Sequence, residues 1–449
     1  MHYEKFQDGT VKCIEDEIPF EVPEGWAWCK LNDIYNFIDY RGATPTKITN
    51  GIPLVTAKNV KSGYIDYTID DYISEEEFKE RQQRGISKKG DILFTTEAPL
   101  GNAALADMEK FSAGQRLITF QQYGSKNELI NYVMLMFILS DFFQQQLYVN
   151  KTGSTVAGIK AAILKTLWIP VPPYNEQLRI SNTLKSAINL IDSISKNKEI
   201  LSTSISNTKS KILDLAIRGK IVPQDPNDEP ASVLLERIRA EKEELIKQGK
   251  IKRDKKESVI FKGDDNSYYG IHLPDSWNWA SLREIALSIS DGSHNPPPNN
   301  GSGIPLLSAA NINDNSILMN EISRWITNEE WKIENQRTNI EVGDVLLTIV
   351  GSIGRSAVVQ NNNHFALQRS VAVIKPCLIN PLYLMHIVQS PQIQKWLTDN
   401  SKGTAQKGIY LNALSLMIIP IPPLAEQARI VEHIHIAYKQ LDLISNALL

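Results

Sequence analysis

The sequence predicts an α/β protein of two homologous domains, each followed by a long helix with a coiled-coil stripe. Three observations carry that prediction. The stretch Ile169–Ile180, IPVPPYNEQLRI, returns as Ile419–Ile430, IPIPPLAEQARI. Other matches recur at a nearly constant offset of 250 to 253 residues through a chain of 449. After each copy of the stretch, apolar residues fall at helical spacing with no Pro or Gly to interrupt them.

The repeat covers nearly the whole chain. VPEGWAWCKLNDI (Val22–Ile34) matches LPDSWNWASLREI (Leu273–Ile285), and GIPLVTAKNV (Gly51–Val60) matches GIPLLSAANI (Gly303–Ile312). KKGDILFTTEAPLGNAAL (Lys88–Leu105) matches EVGDVLLTIVGSIGRSAV (Glu341–Val358). AGQRLITF (Ala113–Phe120) matches ALQRSVAV (Ala366–Val373), and TGSTVAGIK (Thr152–Lys160) matches KGTAQKGIY (Lys402–Tyr410). A period this long is a duplicated domain, because solenoid repeats run to roughly 20–50 residues.

Within each copy, short β-branched runs such as GDVLLTIV and RSVAVIKP, bounded by Gly, Pro, Asn or Asp, read as strands. Ser74 with Glu77 and Thr327 with Glu330 form capping boxes, so a short helix starts at each. Tyr132–Leu147 and Tyr383–Leu397 are apolar at helical spacing. WIPVPP and MIIPIPP close each copy as a short buried strand and a Pro-Pro stop, from which a helix can begin.

From Glu176 to about Ile217 that helix runs without a break, a rod of roughly 60 Å. Leu184, Ile191, Ile205 and Ile212 share one heptad position, and Ala187, Ile194, Leu201 and Leu215 share the other. So narrow a stripe favours a partner helix over the alternative that each stripe packs on its own domain. The second copy supplies Ile434, Leu441 and Leu448 with Ala437 and Ile444 in the same register. Beyond the rod, Arg237–Lys256 holds nine Lys or Arg against four Asp or Glu. It reads as a charged helix, either solvated or touching a phosphate backbone or a partner. The boundaries expected are a first domain at 1–173, a helical spacer region at 174–260, a second domain at 261–423 and a short distal helix at 424–449.

Composition describes an ordinary soluble globular protein, with 42% hydrophobic and 22% charged residues. No run approaches a membrane span, and the polar, acidic start is unlike a secretory signal. Cys13, Cys29 and Cys377 lie far apart, without metal spacing, which fits a reducing cytoplasm. A net charge of −3 leaves local basic patches open.

Chemistry is hard to find. Asn295-Pro-Pro-Pro298 resembles the Asn-Pro-Pro-aromatic motif of adenine methyltransferases, but Pro298 stands where the stacking ring belongs. Asp71 with Glu77 and Lys79 has the look of a nuclease metal set, yet the capping box already accounts for Glu77. His433 and His435 have no neighbouring ligand in sequence. The expectation is a binding protein with no catalytic residue, no metal and no cofactor. The copies agree in framework, as at Trp26 and Trp277, and differ in polar loops: DYRGATPTK against DGSHNPPPNN, AKNVKSG against AANINDN, NKTGSTVAG against NSKGTAQKG. Their Arg, Lys, Asn, Gln, Ser and Thr are the side chains that read base edges and phosphates.

The duplicated IP-V/I-PP-x-x-EQ-x-RI junction, the paired GD-[IV]-L strands, the turn at Gly42–Pro45 and the segment LDLAIRGKIVPQDPNDEPA together resemble the specificity subunit of type I restriction–modification enzymes. The resemblance spans essentially the full chain. It implies two target recognition domains, each reading one half of a split double-stranded DNA target. It also implies long helices packed antiparallel as a ruler, two docked modification (methyltransferase) subunits and further restriction subunits. It implies a cytoplasmic protein, without a membrane, in which the chemistry belongs to the partners. The other classes weighed are a helical scaffold without sequence preference and a single-chain nuclease-methyltransferase. Candidate DNA contacts are Arg41, Thr44, Lys58, Asn59, Ser154 and Lys160 in the first domain. In the second they are His294, Asn295, Asn311, Lys402, Thr404, Gln406 and Lys407. Gln115, Arg116, Gln368 and Arg369 occur in both copies, so framework or backbone roles are expected of them. The second helical arm stops 23 residues after Glu426, at Leu449, so a shorter distal arm is expected.

Overall fold

A computed structural model describes residues 2–40, 44–68, 71–123, 130–152, 157–253, 267–403 and 407–448. The chain divides into two compact units, Met1–Ile194 and Ser195–Leu449, and the division falls inside a long helix.

In the first unit β1 (Ala27–Lys30) leads to β2 (Tyr35–Asp39) and β3 (Ile52–Val55). Helix α1 (Glu75–Arg81) follows, then β4 (Ile92–Thr95), β5 (Ala103–Leu105), β6 (Ser112–Ala113) and β7 (Leu117–Gln122). Helices α2 (Asn131–Ile138) and α3 (Asp141–Val149) precede β8 (Trp168–Val171). The main sheet runs β2-β7-β4-β5, every pair antiparallel. β3 lies parallel to β6, and β1 pairs with β8.

The sheet is buried on both faces, so its strands read as continuous apolar runs rather than alternating ones. Ile92, Phe94, Ile118 and Phe120 pack on α2 and α3, whereas Leu93, Leu117 and Ile38 face a second core with Val55 and Phe111. The apolar stretch read as one helix is two. Ser140 ends α2, and its side chain accepts from the Phe143 amide to start α3. The capping residues differ between the copies. Thr327 and Glu330 form the reciprocal box. At Ser74 only half forms, because Glu77 turns to accept from the Thr46 amide at 2.9 Å.

The second unit repeats this plan: β9 (Asn278–Ser281), β10 (Ala286–Asp291), β11 (Ile304–Leu307), β12 (Val345–Thr348), β13 (Ser356–Val358), β14 (Ala366–Leu367), β15 (Val371–Pro376) and β16 (Ile418–Ile421). Its sheet order is β10-β15-β12-β13, with β11 parallel to β14 and β9 paired to β16.

The helices in chain order are α4 (Tyr174–Ile217), α5 (Ala231–Lys247), α6 (Asn328–Thr338), α7 (Pro381–Val388), α8 (Pro391–Asp399) and α9 (Leu424–Asn446). α5 is not the free charged helix that its composition suggests. Leu234, Leu235 and Ile238 enter the core of the second unit. Arg239 pairs with the buried Glu284 at 2.7 Å, and Lys242 donates to the Arg283 carbonyl. Its charges flank a packed face, and the Lys-rich end at 254–256 lies outside the described residues.

Each repeated junction is held by its glutamine. Gln177 accepts from the Ile130 amide and donates to the Pro172 carbonyl. Gln427 accepts from the Asn380 amide and donates to the Pro422 carbonyl. Both are buried, at 1% and 0% exposure. One amide side chain thus satisfies a donor at the start of α2 or α7 and an acceptor at the strand exit, groups that are costly to leave unpaired.

Within the second unit the end of α4 packs antiparallel to α9. Lys209 meets Asp442 and Tyr438, while Gln224, past the end of α4, meets Glu426. The heptad stripe is covered there and at Leu184, which is half-buried in the first unit, but not between. Ile205 is buried and Ile212 is half-buried, but Ile191 and Ile194 are 60% and 58% exposed. Among the described residues no helix is long and apolar enough to cross a membrane.

Candidate nucleic-acid interface

β3 and β6, or β11 and β14, run parallel, so they deliver the AKNVKSG or AANINDN loop and the Gln115-Arg116 or Gln368-Arg369 turn to the same end. In the first domain the Gly114 amide donates to the Val55 carbonyl, and a Cβ at Gly114 would lie 3.1 Å from Thr56 Cα. The Thr96 amide donates to the Arg116 carbonyl, and the Ile159 amide donates to the Thr96 carbonyl. Thr44 Oγ1 donates to Gln115 Oε1 at 2.9 Å. The segments carrying Thr44, Lys58, Gln115, Arg116 and Lys160 are thereby laced together.

The second domain repeats the lacing. The Ser293 amide donates to Leu367, the Arg369 amide to Ser293, the Gln368 amide to Leu307 and the Ile409 amide to Ile349, all carbonyl acceptors. Gly351 donates to the Lys407 carbonyl, and Lys402 and Gly408 exchange a pair of backbone hydrogen bonds. Gly292 is required by this closeness, since a Cβ there would meet the Leu367 oxygen at 2.1 Å. His294, Gln368, Arg369, Lys402 and Lys407 so come to one surface.

Lys58, Lys160, Arg369, Lys402 and Lys407 are exposed and make no ion pair or side-chain hydrogen bond among the described residues. Asn295 is likewise exposed without a side-chain partner there. Such cations on rigidly tied loops suit phosphate oxygens. Gln115 and Gln368 are half-buried, as framework residues would be. His294 Nε2 lies 2.8 Å from Asp291 Oδ2, and Asp291 is itself gripped by Arg337. Arg41, Ser154, Thr404 and Gln406 lie outside the described residues.

Two expected base readers need correction. Asn59 and Asn311 are 2% and 3% exposed. Asn59 accepts from the Thr56 amide and hydroxyl and donates to the Asp66 carbonyl. Asn311 accepts from the Ser308 amide and donates to the Glu321 carbonyl. They build the turn that presents Lys58 and Ala310 and are buried away from any base. Asn311→Ala is expected to cost about 1–3 kcal/mol of stability, through an unpaired buried carbonyl, without changing which DNA sequence is preferred. Thermal unfolding beside competition binding checks both halves of that statement.

The acids of the supposed metal set are otherwise engaged: Asp71 pairs with Lys47 at 2.7 Å, and Glu77 accepts from the Thr46 amide. His433 Nδ1 contacts the Arg429 carbonyl of its own helix. Sequence reading missed a further repeated contact. Arg84 reaches the Asp39 carbonyl and Arg337 the Asp291 carbonyl, each tying the end of a helix to the strand that opens the variable loop. The signal was present as a second duplicated Gln-Arg, at 83–84 and 336–337. Also missed was Glu97, whose Oε1 lies 3.2 Å from Arg116 Nε.

Comparison with known proteins gives a consistent result. The family described as Type I restriction modification DNA specificity domain matches residues 23–202 and again 274–448. The chain is 23% identical over 450 residues to the EcoBI specificity subunit of Escherichia coli, covering 98% of this chain and 85% of that protein. It is 26% identical over 516 residues to the EcoEI specificity subunit, covering 99% and 83%. A solved HsdS subunit from Thermoanaerobacter tengcongensis shares the fold, with a TM-score of 0.54 at 18% identity over 96% of this chain and 94% of that one. A chain from a solved type I restriction–modification system superposes at 0.60, also at 18% identity, with the same coverage. Matched twice by the family's domain, and along nearly its whole length by the family's members, the chain belongs to the type I restriction–modification DNA specificity family.

Proposed function

We propose that this chain is the non-catalytic reader of a bipartite double-stranded DNA target, each domain specifying one half. The observation that carries this reading is one loop frame built twice with different side chains. Backbone hydrogen bonds at Gln115-Arg116 and Gln368-Arg369 hold the same loops, while the first domain carries Thr44, Lys58 and Lys160 on them and the second carries His294, Asn295, Lys402 and Lys407. Two modification (methyltransferase) subunits dock on the helices and supply adenine methylation, and restriction subunits add translocation and cleavage, in the cytoplasm where the DNA is. The relatives named as type I specificity subunits support this assignment. The antiparallel contact of α4 with α9 supports a ruler that fixes the separation of the half-sites.

The test is single-molecule methylation mapping in a methylation-free host that co-expresses the neighbouring modification subunit. The expected result is a motif in two short parts, separated by unspecified bases and lost without this chain. Exchanging residues 23–173 for the first domain of a relative is expected to change one half only. A motif that changes in both halves, or methylation independent of this chain, overturns the reading. Lys58→Ala or Lys402→Ala is expected to weaken all DNA sequences alike and to lower the salt slope of binding by about one. Titration at several salt concentrations measures this.

A further inference from the structure

Arg116 and Arg369 occupy the same place in the two domains, but the chain treats them differently. The Nε of Arg116 lies 3.2 Å from Glu97 Oε1. The backbone of Glu97 is fixed, because it bridges Gly158 and the preceding Thr96 is bonded to both Arg116 and Ile159. A Cβ at Gly158 would approach the Glu97 Cβ to 3.4 Å, so the acid stands against a residue without a side chain. An ion pair closest at Nε leaves the two terminal amino groups of Arg116 open to another partner. They pair with nothing among the described residues, and the side chain is 54% exposed. In the second domain Val350 stands where Glu97 does, since its backbone bridges Gly408 as that of Glu97 bridges Gly158. Arg369 therefore has no acid beside it among the described residues.

A guanidinium held at Nε keeps its plane and presents a fork of two donors, which matches O6 and N7 of guanine. An untethered Arg samples many directions and suits the less directional demands of phosphate. We infer that Glu97 is a specificity-determining positioning residue: by holding Nε it makes Arg116 a reader of a guanine edge in the first half-site, whereas Arg369 contacts the DNA backbone. This rests on the DNA-reading function proposed above. It departs from the expectation that the two arginines, being shared, do the same work.

The experiment begins with the motif of the unaltered full chain, mapped as above. Competition binding then follows, with duplexes carrying each of the four base pairs at every specified position. The expected result is one G·C pair in the first half at which Glu97→Gln and Glu97→Val each reduce selection by about tenfold, within the range that a bidentate base contact supplies. Selection in the second half is unchanged. Affinity for unrelated DNA holds or rises, since a carboxylate near phosphates has been removed. Arg116→Lys removes selection at that same position, and Arg369→Ala weakens all sequences alike. Glu97→Gln keeps the side chain's shape, and its unfolding midpoint shows whether the domain is intact. Unchanged selection in the Glu97 variants, or a loss spread over both halves, overturns the inference. A chain that specifies no sequence before any substitution overturns the DNA-reading function itself, and that outcome is seen before the variants are compared.

Discussion

Gln427→Ala is expected to destabilise the second unit by about 2–5 kcal/mol, a large share of the stability of an ordinary domain. The substitution removes the acceptor of the Asn380 amide and the donor to the Pro422 carbonyl at a site with no exposure. The Pro422 carbonyl is buried and the Asn380 amide is partly so, so water replaces little of what is lost. Gln427→Glu would keep the acceptor but set a carboxylate against the Pro422 carbonyl, so no rescue is expected. Gln177→Ala should do the same to the first unit through Ile130 and Pro172. Denaturant unfolding followed by hydrogen exchange locates each effect, with protection lost at the Asn380 amide in one variant and the Ile130 amide in the other. Unaltered protection at those amides would show that the glutamines do not hold the junctions.

Acidification is expected to weaken the second unit between about pH 6.5 and pH 4, through His386. This residue of α7 is 7% exposed, packs edge-on against Tyr438 of α9, and has no partner for Nδ1 among the described residues. Burial drives its pKa down to about 4, opposed by a hydrogen bond with Gln389 and assisted by the charge of His435. The folded state thus keeps the ring neutral at a pH where the unfolded chain has already bound a proton. Stability from this source is complete above the unfolded value near 6.5 and is lost as pH falls through about 4. The full difference is on the order of 3 kcal/mol. His386→Leu removes the titration, so its stability should vary less with pH over that window than that of the unaltered protein. Thermal unfolding of the two proteins from pH 4 to pH 7 measures the difference, and equal slopes would contradict it.

The duplication was legible because the groups that make the framework are fixed by geometry and recur as letters. Gly90-Asp91 and Gly343-Asp344 open the central strands, and in each the aspartate accepts from the amide three residues before it. Less legible was where one helix ends. Tyr132–Leu147 is apolar throughout, and only the Ser140 side chain, bonding locally, divides it. The heptad marks a stripe in the sequence, but periodicity says which residues align and not how much partner is there to cover them. The burial of α5 was hidden by its charges, because Arg239 and Lys242 extend past an apolar face to reach Glu284 and backbone carbonyls. The candidate site shows the same limit. Residue type alone marks Asn59, Asn311 and Asn295 as equally able to read a base, and only their hydrogen bonds separate turn builders from exposed groups. Glu97 was invisible for the opposite reason, since its meaning depends on an arginine 19 residues later in sequence and 3.2 Å away in space.

The pairing of β1 with β8, and of β9 with β16, has a consequence for inheritance. Ala27 lies opposite Val171 and Lys30 opposite Trp168, so the chain goes into a domain and comes out of it side by side. Asn278 and Ile421 do the same in the second copy. A segment whose two ends are neighbours is topologically closed and can be cut out, permuted or replaced without rethreading what surrounds it. The flanking junctions are alike, and each is held by a glutamine that bonds to main chain on both sides. A crossover in the gene that falls within either junction would therefore deliver an intact cassette onto a matching scaffold. The architecture lets half of a target be rewritten in one genetic event, while point substitution would have to find each loop residue separately.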